Sequence, residues 1–308
     1  MFWGVIACML WPLLLCVLIN LYYICISIVT LTIRMDMDIK KATTITFSPT
    51  GTSRTVANYI AQGTGIAQID GIDLTHAAAK ASLGSDELAI ISAPVYGGKV
   101  ARLAVDRMSE ICGNGTPAVV ISVYGNRHYE NALVQLADLA REKGFVVIAA
   151  ATFVGEHSYS TPANPIAVGR PDDGDRAQAL QFGAAIKQKI DAGNLSEIDA
   201  AAIDQPEQIE GAMATFKSTI ARWMTEGMPS IKTPTTDASL CVHCGLCVIL
   251  CPNQAIEAGN ECVTNPDRCI KCCACVKGCN QHARTLNSPF APLISQNFNN
   301  HKENKTII

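Results

Sequence analysis

An excess of basic charge is the first thing this 308-residue chain does without: 24 Lys and Arg stand against 27 Asp and Glu, a formal net charge of −3. A phosphodiester backbone is gripped by clustered cations, so no nucleic-acid surface is expected. Glycine-rich nucleotide signatures are missing as well. There is no Gly-Lys-Ser/Thr closing a glycine loop, which excludes a P-loop, and no G-x-G-x-x-G, which excludes the dinucleotide fingerprint. No nucleophile–base motif offers itself for hydrolysis or acyl transfer. An even spread of cysteines is lacking too. Of the 14, ten lie between Cys241 and Cys279; Cys8, Cys16 and Cys25 sit in an apolar leader, and Cys112 stands alone. Such crowding describes a local site in a reducing compartment, not a disulfide scaffold.

The leader lacks charge altogether. From Phe2 to Ile33 only Trp3, Trp11, Tyr22 and Tyr23 interrupt a run rich in Leu, Ile, Val and Cys. That is long enough to span a bilayer with some tilt. It has neither the basic n-region nor the cleavage site of a secretory signal. Arg34, Lys40 and Lys41 follow, so an anchor at 1–34 would leave the rest in the cytoplasm. The other reading starts translation at Met35 or Met37 and makes the leader a matter of start-site choice. Both readings place the working part in the cytoplasm, free or membrane-anchored.

What is present is core material: 49% of residues are hydrophobic, enough for two domains. Apolar β-rich runs at 43–47, 67–74, 87–95, 117–125 and 145–155 alternate with helical stretches such as "RTVANYIAQGT", "RLAVDRMSEIC" and "ENALVQLADLAREKG". Leu133, Leu136, Leu139 and Ala140 share one helical face, and Gly144 marks its end. Near-continuous apolar strands between helices predict an α/β fold, a doubly wound parallel sheet covered on both faces. A closing helix is expected over 176–193 and another within 206–227, before a linker.

Two cysteine motifs follow. "CVHCGLCVILCP" gives Cys241, Cys244, Cys247 and Cys251 before Pro252; "CIKCCACVKGC" gives Cys269, Cys272, Cys275 and Cys279. Three cysteines at successive intervals of three wrap one face of a cubane, and the fourth points away from it. Structural zinc usually pairs two C-x2-C elements across a longer gap and has no use for the third interval. Cys262 and Cys273 fall outside the pattern; Cys273, beside a ligand, reads as a bystander, and His243 as a surface residue tuning potential. The 45-residue stretch resembles two-cluster bacterial ferredoxins. That resemblance implies two [4Fe–4S] clusters, one on Cys241, Cys244, Cys247 and Cys279, the other on Cys269, Cys272, Cys275 and Cys251. Asn280 replaces the family's usual Pro.

Upstream, "TFSPTGTSRTVA" ends the first strand and opens the first helix. Hydroxyls of Ser48, Thr50, Thr52 and Ser53, with Gly51 turning the backbone, would bind a phosphate at a helix N-terminus. The pattern S-x-T-G-x-[TS] resembles the flavodoxin phosphate loop, which holds FMN without a basic side chain. A Ser/Thr-rich turn is also an ordinary N-cap. Two more loops favour the flavin: Pro94, Val95, Tyr96, Gly97 and Gly98 after the third strand, and Tyr124, Gly125, Asn126 and Tyr129 after the fourth. In a strand order 2-1-3-4-5 all three meet at the carboxyl edge. Read as strand-end aromatics, Tyr96 and Tyr124 would need no ligand.

From about 40 to 285 the chain resembles the family in which a flavodoxin-like domain is fused to a bacterial two-cluster ferredoxin domain, "FVGEHSYSTPANPIAVGRPD" included. The resemblance implies a flavodoxin-like domain at 40–194, a helix and linker at 195–237, a small α+β ferredoxin domain at 238–286 and a polar tail at 287–308. It implies FMN and two clusters in one electron conduit, with a redox partner protein or a small-molecule acceptor. Two functions stay open: an electron carrier, or an oxidoreductase reducing a bound small molecule at the flavin. Glu156, His157 and Tyr159 follow the fifth strand. His157 reads as a loop anchor, with proton donation to reduced flavin as the alternative.

Overall fold

The computed structural model describes residues 39–203 and 211–308. The leader at 1–34 and part of the stretch expected to hold a helix at 206–227 lie outside the described residues. Five parallel strands carry the fold: β1 (Lys41–Thr46), β2 (Gln68–Asp73), β3 (Glu87–Tyr96), β4 (Thr116–Tyr124) and β5 (Phe145–Val154). They pair in the order β2-β1-β3-β4-β5, the flavodoxin-like order. All nine residues of central β4 are buried. Each fully buried Val or Ile there contributes roughly 1.5–3 kcal/mol, which is why the run needs no polar alternation.

Side-chain alternation along β3 sends Leu88 and Ile90 to one core and Ala89 and Ile91 to the other. Helices α1 (Thr52–Gly63) and α4 (Asp173–Asp191) cover the first face; α2 (Arg102–Arg107) and α3 (Ala132–Glu142) cover the second. Asp172 and Asp175 form a reciprocal capping box at the start of α4, so that helix begins ahead of the expected residue 176. The stretch expected as one helix after β3 divides: α2 ends at Arg107, and Ile111–Gly113 pairs in parallel with Ala81–Leu83.

Residues 287–308, expected as a polar tail, form ordered structure instead. Phe290, Ile294 and Phe298 recur every four residues and give α6 (Phe290–Phe298) an apolar face. It packs on α5 (Ala212–Glu226) around Ile166 and Met213. The chain then returns as β6 (Lys305–Ile307), antiparallel to β5, so the five expected strands gain a sixth at the edge. Among the described residues no helix is long and apolar enough to cross a membrane.

Candidate functional site

The loop after β1 folds on itself before α1 starts. Gly51 N–H donates to Ser48 O at 3.0 Å, Ser48 Oγ accepts from Arg54 N–H at 3.1 Å, and Thr75 Oγ1 accepts from Ser48 N–H at 2.9 Å. The N-cap residue is Gly51, with no side chain to offer. Among the described residues the N–H groups of Thr52 and Ser53 therefore keep their donors for a ligand, in a loop lined with hydroxyls. An anion is the ligand that chemistry fits.

This loop opens on a cavity of about 550 Å³. Ser48, Thr50, Thr52, Ser53, Pro94, Val95, Tyr96, Gly97, Gly98, Tyr124 and Gly125 all line it, so the three predicted loops do converge. Gly51, Asn126 and Tyr129 do not line it. Asn126 turns away to hold the C-terminal segment, its Nδ2 donating to Asn300 O at 2.8 Å and to Phe298 O. Tyr129 is buried in the core, edge-on to Tyr124 with ring centroids 5.4 Å apart. "YGGK" is a two-residue hairpin in which Val95 pairs with Val100 and Tyr96 with Lys99. Gly97 and Gly98 take φ of 60° and 79°, as such a turn demands.

The loop after β5 forms the last polar wall. His157 Nδ1 accepts from Tyr159 N–H at 2.9 Å, which places the ring proton on Nε2 and anchors the loop. Burial, with Arg127 and Lys277 nearby, lowers the His157 pKa to about 4, so the ring is neutral at pH 7. Glu156 binds Lys277 Nζ at 2.6 Å.

Sequence reasoning missed the opposite wall. Phe216 and Ile220 from α5, Ile231 from the following segment, and Phe290 and Ile294 from α6 roof the cavity. Their signal was helical spacing in a segment read as a helix of no stated role, in the linker after it and in the tail. Arg127 lies 5.0 Å from the Phe216 ring centroid, and Trp223 meets Phe290 edge-on at 5.3 Å.

The cysteines gather at two small cavities. Cys241, Cys244, Cys247 and Cys279 line one; Cys251, Cys269, Cys272 and Cys275 line the other, with Cys273 beside them. The fourth cysteine of each motif thus joins the other motif's first three. The motifs also repeat in backbone: His243 and Lys271 take φ of 52° and 58°, Gly245 and Cys273 take 74° and 63°, and Gln254 and His282 take 52° and 50°. Cys273 holds the left-handed position that glycine fills in the first motif. Burial pushes the Cys272 thiol up to about 12 and raises Cys275 and Cys269 as well. A cationic centre that displaces the protons suits such a set. Arg284, unnoticed in the sequence, is buried, lines the first cavity and opposes the rise at Cys275. Cys262, also outside the pattern, lies by Cys241: their sulfurs and a His243 ring nitrogen fall within 4.8 Å of one another.

The two regions adjoin. Ile270 and Lys271 line both the large cavity and the cysteine cavity, and Cys269 and Cys272 on either side line the latter. Arg107 bridges them further, donating to Leu74 O at 3.0 Å, to Thr75 O, and to Pro252 O at 2.6 Å. Burial raises the Tyr96 pKa far above the ordinary phenol value, and the thiols of Cys272 and Cys273 add to it.

A family model described as "4Fe-4S binding domain" matches residues 234–257, which contain the first motif. No curated protein matches the chain. Among solved structures it is similar to a flavodoxin from the domain Archaea, at 16% identity and TM-score 0.33 over 49% of this chain and 98% of that one. It is also similar to Fusobacterium nucleatum flavodoxin bound to flavin mononucleotide, at 14% identity and TM-score 0.31 over 48% and 96%. A "flavone reductase" gives 11% and 0.35 over 56% and 68%. The flavodoxin-like assignment stands on strand order, independently of these likenesses.

Proposed function

We propose that the chain is a cytoplasmic electron-transfer flavo-iron–sulfur protein of the flavodoxin-fused ferredoxin kind, with one FMN and two [4Fe–4S] clusters. The observation that carries the reading is the segment 269–275, in which Ile270 and Lys271 line both the cysteine cavity and the large cavity and so form a wall between them. The FMN phosphate would lie on the Thr52 and Ser53 N–H groups and the Ser48 and Thr50 hydroxyls, and its ring between the loops carrying Tyr96 and Tyr124. FMN supplies one- and two-electron chemistry, and the clusters supply single electrons. The chain's own part is to hold the second cysteine set against the flavin wall through Arg107 and Lys277, and to shield it with the roof. Cys244 of the first set is exposed, which suits exchange with a redox partner protein.

A second reading, a flavin-dependent oxidoreductase reducing a small molecule, is favoured by the roof, because a pure carrier has no need to enclose its flavin. The deciding experiment is iron, sulfide and flavin analysis of anaerobically purified protein. About eight irons, eight sulfides and one FMN per chain are expected. Zinc in place of iron would sink the proposal.

A further inference from the structure

We infer that the helical roof forms a second compartment, beside the flavin, for an uncharged aromatic ligand bearing one carbonyl-type acceptor. The inference rests on the flavin reading above. The walls of the cavity differ in chemistry. The strand-end loops bring hydroxyls, amides and glycines, whereas the roof brings Phe216, Ile220, Ile231, Phe290 and Ile294 and nothing polar. On α5 the charged residues Lys217, Arg222 and Glu226 are exposed, so the helix is oriented with its apolar face inward. Phe216, Ile220, Ile231 and Phe290 are half-buried, and an apolar ligand would cover the faces they leave to water. The cavity as a whole, about 550 Å³, is shared between the strand-end loops and this roof.

Charge is disposed against an ionic ligand. Arg127 is paired with Glu130 at 2.5 Å, and Glu156 with Lys277 at 2.6 Å. Lys271, which lines both cavities, stands between Cys269 and Cys272, and the negative charge of their thiolates in a bound centre would offset its own. What remains is a neutral donor. With His157 Nδ1 occupied by Tyr159 N–H, the Nε2–H of a ring that lines the cavity has no partner among the described residues. A neutral N–H suits a carbonyl oxygen, not a carboxylate that needs a cation.

The test is calorimetric titration of oxidised, FMN-loaded full-chain protein with a matched pair, 2-acetylnaphthalene and 2-naphthoate. The ketone should bind saturably with a negative heat-capacity change, and the carboxylate roughly tenfold or more weakly. Ile220→Glu and Ile231→Glu, titrated per bound FMN, should each weaken the ketone roughly tenfold or more, while Ile220→Leu retains it. Three results overturn the inference: no saturable binding, tighter binding of the carboxylate, or ketone binding only to flavin-free protein with displacement by FMN. A visible spectrum without flavin overturns the flavin reading and this one together; flavin present without ketone binding overturns this one alone.

Discussion

Arg170 and Asp175 are both buried and meet as a bidentate pair, Nε and Nη2 of the guanidinium donating to the two carboxylate oxygens. Around them Asn304 Nδ2 donates to Asp175 at 2.7 Å, Arg170 reaches Lys302 O at 3.2 Å, and Asn304 Oδ1 accepts from Val154 N–H at 2.8 Å. The pair thus fixes the return of the chain to β5. Asp175→Asn strands a buried guanidinium, and a loss of roughly 3–5 kcal/mol is expected in urea unfolding.

The same pair sets an acid limit. Burial pushes the Asp175 carboxyl up, but Arg170, Asn304 and the Asp172 N–H outweigh it and hold the pKa below the usual carboxylate range. Its contribution is complete above the unfolded value and is lost as pH falls through the depressed one. Urea midpoints measured against pH should fall steeply below the ordinary carboxylate range, and that slope should be shallower in Asp175→Asn.

Two adjacent glycines separate turn geometry from close packing. A Cβ on Gly98 would lie 1.8 Å from Glu130 Oε2, whereas one on Gly97 meets nothing within 4 Å. Gly97→Ala should cost about 1 kcal/mol, from its left-handed backbone alone. Gly98→Ala should cost about 1–3 kcal/mol and loosen the Arg127–Glu130 wall. Equal losses in thermal unfolding would contradict the geometry.

These glycines show what a sequence discloses. Tyr-Gly-Gly after an apolar run announces a strand end and a turn, and five such runs between helices announced a doubly wound parallel sheet, while its strand order came from the flavodoxin resemblance. The cysteine intervals announced two local sites, and the resemblance to two-cluster ferredoxins implied which sulfurs gather. Asn126 and Tyr129 looked like loop residues because position alone cannot tell a side chain facing the cavity from one facing the core. The roof was hidden for a related reason: Phe216, Ile220, Phe290 and Ile294 join across about 70 residues of chain, and a helical period does not say what a face will cover. Arg107 and Arg284 look like any other arginine until their carbonyl and thiol neighbours are seen.

Cys272 and Cys273 are neighbours with different expected roles. Cys272→Ser should remove about half of the bound iron. Cys273→Gly, which restores the residue type of the first motif, should leave iron content unchanged. Equal losses by colorimetric iron assay would make Cys273 a ligand.

His157 adds a second pH dependence. Its folded pKa of about 4 lies below the ordinary 6.5, so between those values the unfolded chain binds the extra proton. Stability is therefore expected to rise as pH goes from 4 to 6.5 and then to level off. His157→Gln should lack this rise in urea titrations across that window.

Arg107→Met removes three hydrogen bonds to carbonyls at once. Hydrogen exchange should accelerate both at 47–53 and at 251–256, with the rest of the sheet unchanged. Acceleration at one of the two stretches alone would show that the bridge does not couple them.

The antiparallel strand at Lys305–Ile307 gives this architecture a schedule. During synthesis, β1 to β5 emerge first and can pair as soon as they leave the ribosome. Phe290 and Ile294 follow only after every residue of both cysteine motifs has been made. A nascent chain therefore carries an open cleft throughout the interval in which its sulfurs become available. Loading would precede enclosure, and a ribosome that stalls before residue 290 would release a chain whose cleft never closes.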